Sequence, residues 1–340
     1  MKATVSFLKK AFLALSFLFV ALQISAQEIK IGFCLDDFLV ERWYKDRDFF
    51  VQRAQQLGAT VQVEVANSDA QTQIEQAKNL LNQGIDVLVL VQVSSESARE
   101  IVELAHAKNV PVIAYDRPIL NSQVDYFVST DNIAIGSEMA EYALSVCPKG
   151  NYIYLRGDED DANSRILQQG INNVLSEKVA SGDIQILFEA DIPDWSEFET
   201  IMALNNFFDS FSGKIDVILA ANDGIANGAI VSLEGRENLG KPIVTGHDAD
   251  LQGLQNIVRG KQAITLFPPI QEQAFAAAEL AVAIVKKDFQ NIQFTEFDNG
   301  TNKVKSILLS PILISKSNID EVIIDKGFFK REDIYIFPEE

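Results

Sequence analysis

The chain has 340 residues, 47% of them hydrophobic, and sets 48 acidic against 29 basic side chains for a formal net charge of -19. That length favours two domains over one, and that acidity argues against nucleic acid and anionic membrane surfaces, whose binders carry basic patches. Two histidines and two distant cysteines without CxxC spacing argue against a histidine- or cysteine-ligated metal, and no cofactor is expected. An oxidising compartment would permit a Cys34 to Cys147 bridge, though two unpaired thiols are the simpler expectation in a chain long enough to hold its core without a staple.

In chain order, residues 1–26 read as an export signal. Lys2, Lys9 and Lys10 precede AFLALSFLFVAL at 11–22, which has the length of a signal-peptide apolar region and is short for a membrane span. QISA ends at the small residue Ala26, so cleavage near there is expected, with no cysteine at the junction to take a lipid anchor. The mature chain is then expected to be exported and free of a lipid anchor.

Short apolar segments alternate with helical patterns through the rest. EIKIGFCL (28–35), TVQVEVA (60–66), IDVLVLVQ (85–92), VPVIAYD (110–116) and DYFVSTD (125–131) predict strands. Stretches such as TQIEQAKNLLNQG and ESAREIVELAHAKN predict helices ending at Gly84 and Asn109. The pattern restarts with NYIYLRG, DIQILFEA, IDVILAAND, KPIVTGHD and AITLFP. Two α/β lobes with parallel sheets follow. An alanine-rich helix at 270–288 and a tail are too little for a third domain, so they are expected to complete the two lobes. The expected division is 27–132 plus 270–304 for the N-terminal lobe and 133–269 plus 305–340 for the C-terminal lobe.

Ligands of such sheets bind outside the carboxyl ends of the strands. Here those ends carry Asp36 and Asp37, Asn67 to Asp69, Asp116 and Arg117, Asp131 and Asn132, then Arg156 to Asp161 with Asn163, Asp191 to Trp195, Asn222 and Asp223, and His247 and Asp248. A single Asp or Asn before a helix is ordinarily an N-cap. A cap gains nothing from the arginine of YDRP (115–118) or from the tryptophans of ERW and PDW. Carboxylates, amides and guanidinium groups suit the hydroxyl rim of a sugar, and flat rings suit its C–H faces. Trp43 and Trp195, one from each lobe, could sandwich a pyranose.

IGFCLDDFLVERWYKDRD, IDVLVL, VIAYDRP, ANDGIANGAI, TGHDADLQGLQNIVRG and the closing IDKGFFKRED together resemble the periplasmic sugar-binding proteins of ABC transporters, of the ribose- and xylose-binding type. The resemblance spans the mature chain. It implies two Rossmann-like lobes of the type I periplasmic binding protein fold, joined by three crossover strands around a ligand cleft. It also implies one monosaccharide ligand, xylose or a related aldose, handed to an ABC permease, or alternatively presented to a chemoreceptor or sensor kinase. Carried over position by position, the family's sugar contacts fall on Arg42, Trp43, Asp116, Arg117, Asn163, Trp195, Asn222 and Asp248. The pattern departs at the last crossover, where Phe267, Pro268 and Pro269 stand in place of a lysine-bearing motif. Pro268 cannot donate even a backbone hydrogen bond, which leaves related pentoses and hexoses open beside xylose. His247 likewise replaces a glutamine, and Ala162 an amide.

Catalysis is not expected. Asp116 and Asp248 could pair as acid and base on a glycoside, but neighbouring arginine would lower rather than raise a carboxyl pKa. IGFCLDDF lacks the GxGxxG turn of a dinucleotide site, and neither GxSxG nor GxxxxGK[ST] occurs.

Overall fold

The computed structural model describes residues 28–38 and 42–336; the expected export signal and its cleavage site lie outside them. β1 (Ile29–Leu35) is buried except at Lys30, and a strand apolar on both faces belongs inside a covered parallel sheet. It sits between the parallel strands β2 (Ala59–Val65) and β3 (Val87–Leu90). Next to β3 come β4 (Val112–Tyr115) and β5 (Tyr126–Thr130), then β12 (Lys303–Leu309) and the antiparallel edge strand β11 (Thr295–Asp298). The seven-stranded order is β11-β12-β5-β4-β3-β1-β2.

Each face of this sheet has its own core. α1 (Arg42–Gln56) and α9 (Ile270–Lys286) bury Trp43, Phe50 and Ala54 with Ala274, Ala277 and Ala278 against Phe33 and Val89. α2 (Ala70–Asn82) and α3 (Ser95–His106) bury Ile74, Ala77, Leu80, Ile101 and Ala105 against Cys34, Leu88 and Leu90. The spacing of the buried α2 residues is the 3.6-residue period that predicted the helix. Cys34 and Cys147 are both free thiols.

The second sheet is parallel, in the order β7 (Ile184–Asp191), β6 (Gly150–Arg156), β8 (Val217–Ala220), β9 (Ile243–Val244). β10 (Thr265–Phe267) pairs antiparallel with β13 (Ile312–Ile314) and meets the sheet through a parallel bridge from His247 to Leu266. α4 (Asn132–Val146) and α5 (Ala162–Ala180) pack against each other at backbone distance. A Cβ on Gly136 would lie 2.1 Å from the Leu167 carbonyl oxygen, and one on Gly170 would lie 2.2 Å from that of Ile133. α6 (Glu197–Phe208), α7 (Asp223–Leu233) and α8 (Leu251–Val258) complete the helical cover. The tail packs Ile319, Ile323, Phe328 and Ile334, the last within α10 (Arg331–Ile334), against Leu254, Ile257 and Val258.

The chain passes between the sheets three times: after β5, after β10 through Pro268 and Pro269, and after β12. One expected boundary needs correction. A division between 304 and 305 falls inside β12, whose residues Lys305–Leu309 pair in register with Tyr126–Thr130. A strand cannot leave its ladder halfway without orphaning backbone donors, so the crossing comes after Leu309.

Candidate ligand-binding site

The carboxyl ends of β1, β3 and β4 lie side by side in the first sheet and carry one wall of the cleft. Tyr115 closes β4, and Asp116 follows with φ of 65°, a left-handed backbone that Asp and Asn tolerate better than most residues. This turn directs Asp116 Oδ2 to Arg42 Nη2 at 2.7 Å and to Gln273 Nε2 at 3.0 Å. Arg42 opens α1 and also donates through Nε to Asp46 Oδ2 at 3.2 Å, one helical turn on. Asp46 is fully buried and takes a further hydrogen bond from the Tyr115 hydroxyl.

The charges in this cluster are shaped by burial and by one another. Burial opposes the Asp116 charge, yet Arg42, Gln273 and Arg117 outweigh it and hold the carboxyl below its ordinary range. Asp46 goes the other way, because burial outweighs its bonds to Arg42 and Tyr115. Burial works against Arg42 too, and Asp116 with Asp46 more than restores its charge. Arg117 donates to Asp36 Oδ2 at 2.6 Å and to the Gln92 carbonyl at 2.9 Å. The guanidinium carbons of Arg42 and Arg117 lie 4.7 and 5.9 Å from the centroid of the Trp43 ring.

The second wall comes from the ends of β6, β7, β8 and β9. Asp161 caps α5 by accepting from Asn163 N–H at 2.8 Å, which turns the Asn163 side chain across the cleft. Its Nδ2 donates to the Asp116 carbonyl at 3.4 Å, and its Oδ1 accepts from Asn132 Nδ2 at 3.1 Å. Asp161 is pushed above the ordinary range by burial, against the pull of Arg117 on the opposite wall and hydrogen bonds from Asn163 and Trp195. Trp195 ends a short 3-10 turn, Pro193–Trp195, with both Asp194 (53°) and Trp195 (54°) in the left-handed region. Its ring rests on Gly157, where a Cβ would lie 2.3 Å from the ring edge.

Asn222 caps α7 through Ile225 N–H at 2.8 Å, so the residue expected in the site also serves as a helix cap. Asp248 follows β9 with φ of 98° and donates its N–H to the Leu266 carbonyl at 2.9 Å. Beneath both lies Asp223, fully buried, accepting from Gln262, Thr265 and Asp250 N–H. Its carboxyl is pushed well above the ordinary range by burial, then by Asp250 and Asp248.

Of the eight predicted residues, the structure gathers Arg42, Trp43, Asp116, Arg117 and Asn163 into one connected group. Trp195 joins it through Asp161. Asn222 and Asp248 are held by their own lobe, at the ends of the neighbouring strands β8 and β9. Trp43, near the start of α1, is only 3% exposed, because its ring packs into the core between the first sheet and α9. Sequence reasoning placed Asp161 among the strand-end residues but missed Asp46, Tyr115 and Gln273 as supports. Asp46 carried a signal, since it lies four residues after Arg42 on one helical face. Gln273 carried none, being one amide in an alanine-rich helix until the fold brings it to Asp116.

The arrangement is that of a two-lobed α/β binding protein whose lobes meet at the carboxyl ends of both sheets. Residues 31–288 match the family described as periplasmic binding protein domain, and the chain belongs to that family. The D-xylose-binding periplasmic proteins of Haemophilus influenzae and Escherichia coli are each 36% identical to it, over 91% of this chain and 93% of their own length. A solved ABC transporter solute-binding protein from Clostridium phytofermentans with bound β-D-glucose superposes with a TM-score of 0.82 at 27% identity, covering 90% of this chain and 99% of that one. The chain is a binding protein rather than an enzyme.

Proposed function

We propose that this chain binds one monosaccharide, D-xylose or a closely related aldose, in the cleft between its lobes and delivers it from the periplasm to an ABC permease. The observation that carries the reading is the polar chain Arg42–Asp116–Asn163, which draws side chains of both lobes together beside the Trp43 ring. In this reading Arg42, Asp116, Arg117, Asn163, Asn222 and Asp248 bind the hydroxyl rim, and Trp43 and Trp195 cover the C–H faces. Ligand contacts made by both lobes favour the closed arrangement, and a permease that recognises it responds to the loaded protein. Xylose is favoured by the names of the two 36% identical relatives. The glucose-bound neighbour is the reason to keep hexoses in the test.

Titration calorimetry of the mature protein against pentoses and hexoses tests this. One aldose should bind with one-to-one stoichiometry, and Trp195→Ala should weaken it by about 2–4 kcal/mol, roughly 30-fold to 1,000-fold, as expected of an aromatic anchor. Saturable binding unaffected by Trp195→Ala would overturn the site, and no response to any sugar would overturn the function.

A further inference from the structure

Three buried polar atoms around Arg117 have no hydrogen-bond partner among the described residues: Asp36 Oδ1, Gln92 Oε1 and Trp43 Nε1. Their carriers are 6%, 5% and 3% exposed. Buried polar groups are ordinarily satisfied, so each orphan calls for an explanation. Local geometry leaves them little freedom to find another partner. Asp36 Oδ2 is engaged by Arg117 at 2.6 Å, which turns Oδ1 away from the guanidinium. The Gln92 amide nitrogen donates to the Pro118 carbonyl at 2.9 Å. Because a carbonyl only accepts, the amide cannot flip, and Oε1 stays an acceptor. The loop beneath is pinned by fully buried Gln73, which donates to the Val91 carbonyl at 2.8 Å and accepts from Val93 N–H at 3.0 Å.

The set comprises two acceptors and one donor on the wall that carries Arg42, Asp116 and Arg117. An anion is disfavoured there by the Asp36 carboxylate, and a cation by the Arg117 guanidinium. An ether oxygen cannot donate to either acceptor. What complements the two acceptors is neutral and donates twice, as adjacent hydroxyls of a sugar do. We infer that Asp36 Oδ1 and Gln92 Oε1 each accept from one of two adjacent hydroxyls of the bound aldose, beside the Trp43 ring. They are then specificity-determining residues in addition to the eight of the proposed site, and this assignment rests on the monosaccharide reading above. Arg117 links the two sets, since the same guanidinium that reaches the sugar rim orients Asp36.

The test is a calorimetric cycle with D-xylose, or whichever aldose binds tightest, and its monodeoxy derivatives. Asp36→Asn keeps the shape and an acceptor for Arg117 while placing an N–H₂ where Oδ1 stood. It should weaken the parent sugar about tenfold to hundredfold. For the one derivative lacking the hydroxyl that Asp36 accepts from, Asp36→Asn should add less than about twofold, because the lost bond is the same one. Gln92→Met, of similar volume and without Oε1, should repeat that pattern on the derivative lacking the adjacent hydroxyl, which guards against a folding defect peculiar to one variant. An equal loss on every derivative would mean that Asp36 acts only through Arg117 or through a trapped water, and would overturn the assignment. An unchanged affinity in both variants overturns it as well. Silence of the wild-type protein to every sugar would remove the function and this assignment together, whereas uniform losses remove the assignment alone.

Discussion

Asp116→Asn isolates one charge at the centre of the site. Asparagine is the substitute that best tolerates the left-handed backbone at φ of 65°, so strain does not confuse the result. The backbone carbonyl that accepts from Asn163 and Ser129 remains. What changes is Oδ2, which accepts from Arg42 at 2.7 Å and from Gln273 at 3.0 Å in a site 12% exposed on each side of the ion pair. Arg42 keeps Asp46, so the loss is that of charge-assisted hydrogen bonds rather than of an orphaned buried charge, about 1.5–3 kcal/mol. For lobes of this size that is a fall in melting temperature of roughly 3–12 °C at pH 7.

The pH dependence makes the prediction sharper. The folded Asp116 carboxyl is held below its ordinary value, and a depressed carboxyl contributes stability above its unfolded pKa of about 3.9 that is lost as pH falls through the folded value. The gap between wild type and Asp116→Asn should therefore be full at pH 7 and narrow in acid below about pH 4. Urea unfolding of both proteins at several pH values measures it. A gap that stays constant into acid, or one below about 0.5 kcal/mol at pH 7, would refute the role given to this charge.

Gly157→Ala places a methyl group 2.3 Å from the Trp195 ring, so it should displace the ring and weaken sugar binding while leaving thermal stability nearly unchanged, since the ring is only half-buried. Calorimetry and melting read separately distinguish this from general damage. Gly136→Ala drives a Cβ to 2.1 Å from the Leu167 carbonyl and should destabilise the C-terminal lobe by about 1–3 kcal/mol through forced separation of α4 and α5, measured by urea unfolding. Burial pushes the Cys34 thiol up to about 12. In the native protein at pH 8 Cys34 should resist a thiol reagent that modifies it after denaturation, and rapid native labelling of Cys34 would contradict its burial.

The strand ends were legible because their chemistry contrasts with the runs before them. VIAY is wholly apolar, and Asp116 and Arg117 break it at once. The same contrast marked Asn222 after VILA and Trp195 in the PDW turn. The supports beneath were less legible, since a lone glutamine or tyrosine has no local reason to differ from its neighbours. Gln273 meets Asp116 across 157 positions, and Tyr115 meets Asp46 across 69. Such pairings depend on which helix lies over which strand. The β12 boundary failed for a related reason. KSILLSPILI has apolar runs on both sides of Ser310 and Pro311, and pairing with β5 decides that the first run belongs to the first sheet.

The sequence by itself determined the alternation of strand and helix, the two-lobed plan and the polar groups at the strand ends, because each depends on residues within one turn or one strand of each other. The tertiary structure alone decided that Trp43 is buried, that Arg42 lies between Asp46 and Asp116, and that Asn163 reaches across the cleft. Burial and partnership are properties of packed surfaces, set by contacts among segments far apart in the chain. Asp46 and Asp116 show the consequence: the same side chain, close to the same arginine, is shifted in opposite directions by what else surrounds it.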